Sequence, residues 1–291
     1  MSVVSPAMRR RIGPRDFDFS RQVAVMAIVN RTPDSFYDRG RTDSLGAAVA
    51  AAHRAIEEGA DWLDIGGARF APGPPVPVAE ELDRVLPVVA ALAGSGAVLS
   101  VDTFHPEVAH EALAAGAHVV NDTTGLHDPA MADVVAGAGA TVIVTHSLAA
   151  PRTPYPSPRY DDVVADVVAF LGERAALAEA RGVASDRIIV DPGHDLNKHT
   201  LDSLELTRRL DEVVALGYPT LVALSNKDFV GESLGRPREQ RVEGSIAAAV
   251  YSVIRGARLV RVHNVRETVD AVRMLGAIEG WRAPVVLEHN R

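Results

Sequence analysis

Eight times along this chain, a short run rich in Val, Ile and other apolar residues is followed by a longer Ala- and Leu-rich segment of helical spacing. The runs fall at 23–30, 61–66, 97–103, 118–122, 141–146, 187–192, 220–226 and 259–264. Between and after them the spacing predicts helices over 44–58, 78–93, 106–115, 130–138, 160–182, 200–216, 238–256 and 266–279. Pro106 suits a first helical turn, and Gly59, Gly116, Gly217 and Gly256 suit helix ends. The runs are continuously apolar, as expected of strands buried on both faces, and parallel neighbours need helical crossovers. Eight such units in about 250 residues, with no strand left over, predict an α/β fold: a closed (β/α)8 TIM barrel in a single domain. A doubly wound open sheet is the rival. No G-x-G-x-x-G fingerprint follows the first strand, which favours the barrel.

Three stretches lie outside the pattern: a charged leader at 1–22, a tail at 281–291, and "LAAPRTPYPSPRY" at 148–160. The last carries four prolines, cannot continue a helix, and reads as a stiffened loop after the fifth strand. The barrel itself is expected over 23–280. With 47% hydrophobic residues in a chain of 291, there is material for a full core. A formal charge of -8 argues against non-specific nucleic-acid binding. There is no cysteine, which removes disulfides, thiolate metal sites and cysteine nucleophiles together. The amino terminus has no apolar core of a secretion signal, and no apolar run reaches the roughly 18 residues of a membrane span. A cytoplasmic protein is expected.

In a barrel of this kind the active site forms at the carboxyl ends of the strands. Here those ends carry chemically capable groups: Asn30, Asp102, Asn121 and Asp122, His146, Asp191, Ser225 to Lys227, and Arg261 with His263. A strand-end Asp taken singly is usually a cap or turn acceptor, and a strand-end His a satisfied buried histidine. Several ionisable groups in one mouth are different, because burying them costs stability unless a ligand or paired charges offset it. Arg261 and His263, two apart on a strand, point to one face and read as an anion clamp, an Arg–carboxylate pair being the alternative. Asp102, Asn121, Asp191 and Lys227 offer the donors and acceptors that suit an aminopyrimidinone edge. The residues alone imply a small, polar, phosphorylated ligand.

At these positions the chain resembles the dihydropteroate synthase family. The segments "MAIVNRTPDSF", "DWLDIGGARFAPG", "LSVDT", "VVNDTTG", "IIVDPG", "LSNKDFVGESLG" and "LVRVHNV" match its motifs in order. The resemblance implies condensation of a dihydropterin diphosphate with 4-aminobenzoate, releasing diphosphate, in folate biosynthesis. By it, Asp102, Asn121, Asp191 and Lys227 bind pterin, with Asp102, Lys227 and Asn121 catalytic. Asn30, Arg261 and His263 hold the diphosphate, and Asn30 also contacts Mg²⁺. The expected partners are a pterin diphosphate and an arylamine, in a homodimer whose contact is the Ala/Val-rich helix at 244–256; neither nucleic acid nor membrane is expected.

The departures cluster in the 4-aminobenzoate half. The arginine of the loop after the second strand falls on Ala71, with Arg69 two positions away. The family's Ser-Arg-Lys-Ser becomes Ser225, Asn226, Lys227, Asp228, and an aromatic after "VDPG" is replaced in the stretch His194 to Lys198. Asp228 is expected to face the benzoate carboxylate, at a cost of about 1–4 kcal/mol. This pattern is most like a divergent second paralogue, with the pterin half kept and the acceptor half altered. His146 stays open between a structural and a ligand-facing role. A metal site from His194, Asp195 and His199 is less favoured than a loop.

Overall fold

The computed structural model describes residues 8–31, 44–68, 70, 72–155 and 157–289. The chain begins with an antiparallel hairpin, β1 (Arg9–Ile12) and β2 (Arg15–Asp18). Eight parallel strands follow: β3 (Ala24–Asn30), β4 (Trp62–Gly66), β5 (Val98–Asp102), β6 (Val119–Asp122), β7 (Thr141–Thr145), β8 (Ile188–Asp191), β9 (Leu221–Val222) and β10 (Leu259–Val262). Each pairs with its neighbour in sequence except β8 with β9, and β10 returns to pair with β3. The ring closes through a parallel bridge between Val190 and Thr220, where the Val190 N–H donates to the Pro219 carbonyl at 3.1 Å. The expected TIM barrel is the fold observed.

Helices fill the crossovers: α1 (Leu45–Glu57), α2 (Val78–Leu92), α3 (Pro106–Ala114), α4 (Ala130–Ala138), α5 (Val163–Ala180), α6 (Thr200–Arg208), α7 (Leu210–Val214), α8 (Asp228–Leu234), α9 (Val242–Ile254) and α10 (Val265–Ile278). Local chemistry explains their starts. Ser44 accepts the Ala47 N–H, and Asp162 accepts those of Val164 and Ala165. Three barrel elements depart from the sequence reading, one of them α8, which falls where no helix was expected. The helix expected over 200–216 is divided at Arg209, and the strand expected over 220–226 stops at Val222. Beyond it the backbone turns through Asn226, in the left-handed region at φ +59°. Helix α8 then starts because the carboxylate of distant Asp195 accepts the N–H groups of Asp228 and Phe229.

The leader is part of the fold from Met8 onward. Ile12, Phe17 and Phe19 join Met26, Trp62, Val98, Val119, Ile143, Ile189, Leu221 and Leu259 in one buried cluster. Strand residues two apart share a face, so this cluster is the lower layer of the barrel interior and the hairpin is its plug. Phe17 stacks on Phe19 at 5.3 Å between ring centroids and tilts against Trp62 at 5.7 Å. Arg10 fastens the hairpin by donating to the Ile188 carbonyl at 2.7 Å. Ile12→Val should therefore cost about 1 kcal/mol. A urea unfolding midpoint unchanged by it would mean that the hairpin is not part of the cooperative unit.

Candidate active site

Strand register sets the first row of the mouth. Asn30 pairs with Gly66, Gly66 with Asp102, and Asp102 with Asn121. Four adjacent strands thus end on one level, and Gly66 leaves a gap between two polar side chains. A Cβ there would stand 2.9 Å from Asn30 Oδ1 and 3.8 Å from Asp102 Oδ2. The cavity above, about 260 Å³, is lined by Asn30, Asp102, Asn121, Asp191, Lys227, Arg261 and His263. All seven site residues expected from sequence come together.

Beneath that row lies a carboxylate that sequence reading did not single out. Asp64 is fully buried in β4 and accepts from Arg261 Nε at 2.6 Å and Asn121 Nδ2 at 3.0 Å. Arg261 Nη2 meets Asp102 Oδ2 at 2.7 Å. The arginine therefore does what the alternative reading allowed, pairing with carboxylates, and no described residue partners its Nη1. Asp102 is pushed up to about 7, first by burial and then by Asp64, Glu81 and Asp122, with Arg261 pulling the other way. Burial opposes the charge of Arg261, yet Asp64 and Asp102 more than offset that and raise its pKa. The only sign of Asp64 in the sequence is a carboxylate two residues before a strand-end glycine, on the same face.

The opposite wall is built by the loop after β8. Gly193 is in the left-handed region at φ +67°, and a Cβ there would lie 2.1 Å from the His146 carbonyl oxygen. The Gly193 N–H donates to Asp191 Oδ1 at 2.8 Å. Burial raises the Asp191 carboxyl, while this hydrogen bond and Lys227 work in the other direction. Burial lowers Lys227, whose Nζ donates to the His194 carbonyl at 2.8 Å. Lys198, another residue sequence reading passed over, donates from Nζ to His146 Nδ1 at 2.8 Å and to the carbonyls of Gly193 and Leu196. His146 is thus structural: its pKa is lowered to about 2 by burial and by Lys198, and its ring meets Phe170 edge-on at 4.8 Å. No group of three or more metal-ligating side chains occurs among the described residues, and His199 caps α6.

The proline-rich loop ties two rims of the cavity together. Asn197 Oδ1 accepts from Ser147 Oγ and from the Leu148 and Ala149 N–H groups, each at 2.9 Å. At the other end the Arg152 N–H donates to Phe70 O and Arg152 Nε to Pro74 O. Phe70 and Leu196, one beside each anchor, both line the cavity, as does Arg238.

Other strand-end groups have local work. Asp122 caps the turn at Thr124 and Leu126, and Ser225 Oγ accepts the His263 N–H at 3.2 Å. Ala71 and Arg69 lie outside the described residues. Asp228 requires a correction. Its side chain is 83% exposed, lies outside the cavity lining, and pairs with Arg241 at 2.9 Å. Arg241 also donates to the Asn226 and Lys227 carbonyls, which holds it there. The repulsion expected from Asp228 is therefore offset by a neighbouring cation and screened by solvent. Asp228→Ser should change acceptor affinity less than about threefold; a gain of tenfold or more in competition binding would restore the repulsion argument.

Fold and mouth define this chain as a (β/α)8 barrel protein with a polar cavity at the carboxyl ends of its strands. The profile of the pterin-binding enzymes matches residues 26–263, and the chain belongs to that family. It is 46% identical over 267 residues to the inactive dihydropteroate synthase 2 of Mycobacterium leprae, covering 89% of this chain and 92% of that one. It is 40% identical over 255 residues to the dihydropteroate synthase of Escherichia coli, covering 87% and 90%. The structure superposes on Xanthomonas albilineans dihydropteroate synthase with 4-aminobenzoic acid at a TM-score of 0.86 and 45% identity, covering 94% and 98%. The resemblance read from seven ordered motifs is borne out, including its leaning toward a second paralogue.

Proposed function

We propose that this protein is a dihydropteroate synthase-like transferase of folate biosynthesis. It binds 7,8-dihydropterin-6-ylmethyl diphosphate and joins the methylene carbon to the nitrogen of an arylamine, 4-aminobenzoate or an altered acceptor, releasing diphosphate. The observation that carries this reading is the convergence of Asp102, Asn121, Asp191 and Lys227 on one cavity with Asn30, Arg261 and His263. Asp191 and Asn121 hold the aminopyrimidinone edge, and Lys227 donates to a ring carbonyl or nitrogen. The carbon–oxygen bond breaks with its electron pair going to diphosphate. Asp102 stabilises the positive charge left on the pterin methylene, and the arylamine lone pair then forms the new bond. The proton lost from that nitrogen leaves with water or diphosphate. Arg261 Nη1 and His263 hold the departing anion.

Mg²⁺ fits the donor set, since Asn30 Oδ1 and Asp102 Oδ2 flank the gap at Gly66 as hard oxygen donors. Asn30 would hold the ion, which when bound supplies positive charge to the diphosphate oxygens. We further infer a homodimer through α9 and α10, whose Tyr251, Ile254, Met274 and Ile278 are exposed. Sedimentation at one monomer mass would end that inference.

A second reading, pterin binding without turnover, is favoured by the Mycobacterium leprae relative described as inactive. One experiment separates the two. Protein, Mg²⁺, the pterin diphosphate and 4-aminobenzoate should release diphosphate above a Lys227→Ala control. Pterin binding by calorimetry with no release from any arylamine would establish the second reading instead.

A further inference from the structure

At the amino end of the barrel, away from the mouth, lies a second cavity of about 270 Å³. The end of α10 builds one wall of it. Gly280 is in the left-handed region at φ +71°, and the Trp281 and Arg282 N–H groups both donate to the Gly276 carbonyl, at 2.8 and 3.2 Å. This helix ending folds Trp281 and Arg282 back over α10, where Gly276 leaves room for the Arg282 stem. Arg258 holds the indole, with Cζ 5.0 Å from the ring centroid, while its own nitrogens donate to the carbonyls of Phe19, Val253 and Ala257. The hairpin contributes Phe17 to the lining, and the turn after it contributes Arg21 and Gln22.

The side chains around this cavity offer donors and almost no acceptor. Asp61 is the only carboxylate lining it among the described residues, and both its oxygens are occupied. Oδ1 accepts from Arg15 Nη1 at 2.8 Å and Oδ2 from the Val25 N–H at 3.1 Å. The Gln22 side-chain oxygen accepts the Asp18 N–H, which leaves its amide nitrogen as a donor. Arg21 is paired with Asp18 at 3.3 Å. Arg273 and Arg282, both exposed, form no ion pair with a described residue. Arg273 acts on Asp61 only at longer range, and its Nη2 lies over the bare backbone of Gly59, where a Cβ would stand 3.1 Å away. Either arginine alone would be an ordinary solvated side chain. Together they bring two unbalanced cations to one indole-walled cavity, in a chain of net charge -8. A ligand rich in donors would find no open side-chain acceptor there. One with acceptor oxygens and a flat ring would meet forked donors and an aromatic wall.

We propose that the cavity between the hairpin, α10 and Trp281 is a binding site for a small aromatic acid. The ring of the acid packs on Trp281, and its carboxylate or phosphate is held by Arg273 and Arg282. The site is separate from the mouth and does not depend on the transferase reading. It is also distinct from the inferred dimer contact, since Met274 and Ile278 lie about 100–140° around α10 from Arg273.

The test follows the indole N–H resonance of Trp281, one of two tryptophans, in the nitrogen-15-labelled full chain, assigned by its loss in Trp281→Phe. Benzoate and phenyl phosphate should each shift it saturably, and the tighter of the two identifies the acid group. Acetate and inorganic phosphate, which lack the ring, should bind at least about tenfold more weakly. Arg273→Ala and Arg282→Ala should each weaken the tighter acid by about tenfold, and Arg273→Lys, which keeps the charge and loses the fork, by less. Unchanged melting temperatures establish that these surface variants fold. Lys227→Ala, at the mouth, should leave the affinity for the tighter acid as it is. No saturable shift with either acid, equal binding of the ringless anions, affinity preserved in both alanine variants, or affinity lost in Lys227→Ala would overturn the proposal.

Discussion

Arg261→Ala is expected to lower the melting temperature by about 10 °C at pH 8 and by clearly less at pH 6. The guanidinium is the common partner of Asp64 and Asp102, and Asp64 is fully buried. Removing one side of a buried ion pair leaves uncompensated charge, which typically costs about 3–5 kcal/mol. The pH dependence follows from the sign of the shift. Asp102 has a folded pKa of about 7, above its unfolded value, even with Arg261 present. A raised carboxyl favours folding fully only below the unfolded pKa, and that contribution is lost as pH rises toward the folded one. Without Arg261 the Asp102 carboxyl loses the cation that pulls it down, so the folded variant can hold it protonated at pH 6 but less at pH 8. Differential scanning calorimetry at the two pH values checks this. A variant melting within 2 °C of wild type at pH 8 would mean that the network contributes little. Arg261→Lys, which keeps the charge and loses the fork, should fall between the two.

The second large effect concerns turnover. Asp102→Asn should reduce diphosphate release by about 10²–10³, the usual loss when a preorganised charge opposite a developing one is removed. The residual rate should also lose its pH dependence below neutrality. In the wild-type protein the effective form is the carboxylate. With a pKa near 7 the value of kcat/KM should therefore rise about tenfold per pH unit below that point and level off above it. Lys198 is brought to about 7 by burial and titrates over the same range, which makes the Asn variant the necessary control. A profile from pH 5.5 to 8.5 that stays unchanged in Asp102→Asn would assign the titration to another group.

What the sequence revealed and what it hid follow from the same physics. Strand-end residues such as Asp102, Asn121 and Asp191 were legible because a parallel barrel exposes its carboxyl ends and little else accounts for so many polar groups there. Asp64 was not, because its partners Arg261 and Asn121 arrive from strands far away in sequence. The hairpin at 9–18 was hidden for a different reason. Charged Arg10 turns inward beside Ile12, and only Ile12 and Phe17, with Phe19 just beyond, bring apolar side chains to the core, so the period was too short and too mixed to stand out. Asp228 was misjudged because local spacing cannot show Arg241 reaching back over 13 residues. His146 and Lys198 each look unremarkable alone, and only the loop that brings them together gives both a role.

The account depends most on the pterin half of the cavity. Titrating 7,8-dihydropterin-6-ylmethyl diphosphate with Mg²⁺ into the wild-type protein, Asp191→Asn and Lys227→Ala measures it directly. One site per chain is predicted, weakened about tenfold to a hundredfold in each variant, as expected for losing a hydrogen bond to a charged group. No binding to the wild-type protein, or equal binding to all three, would contradict it.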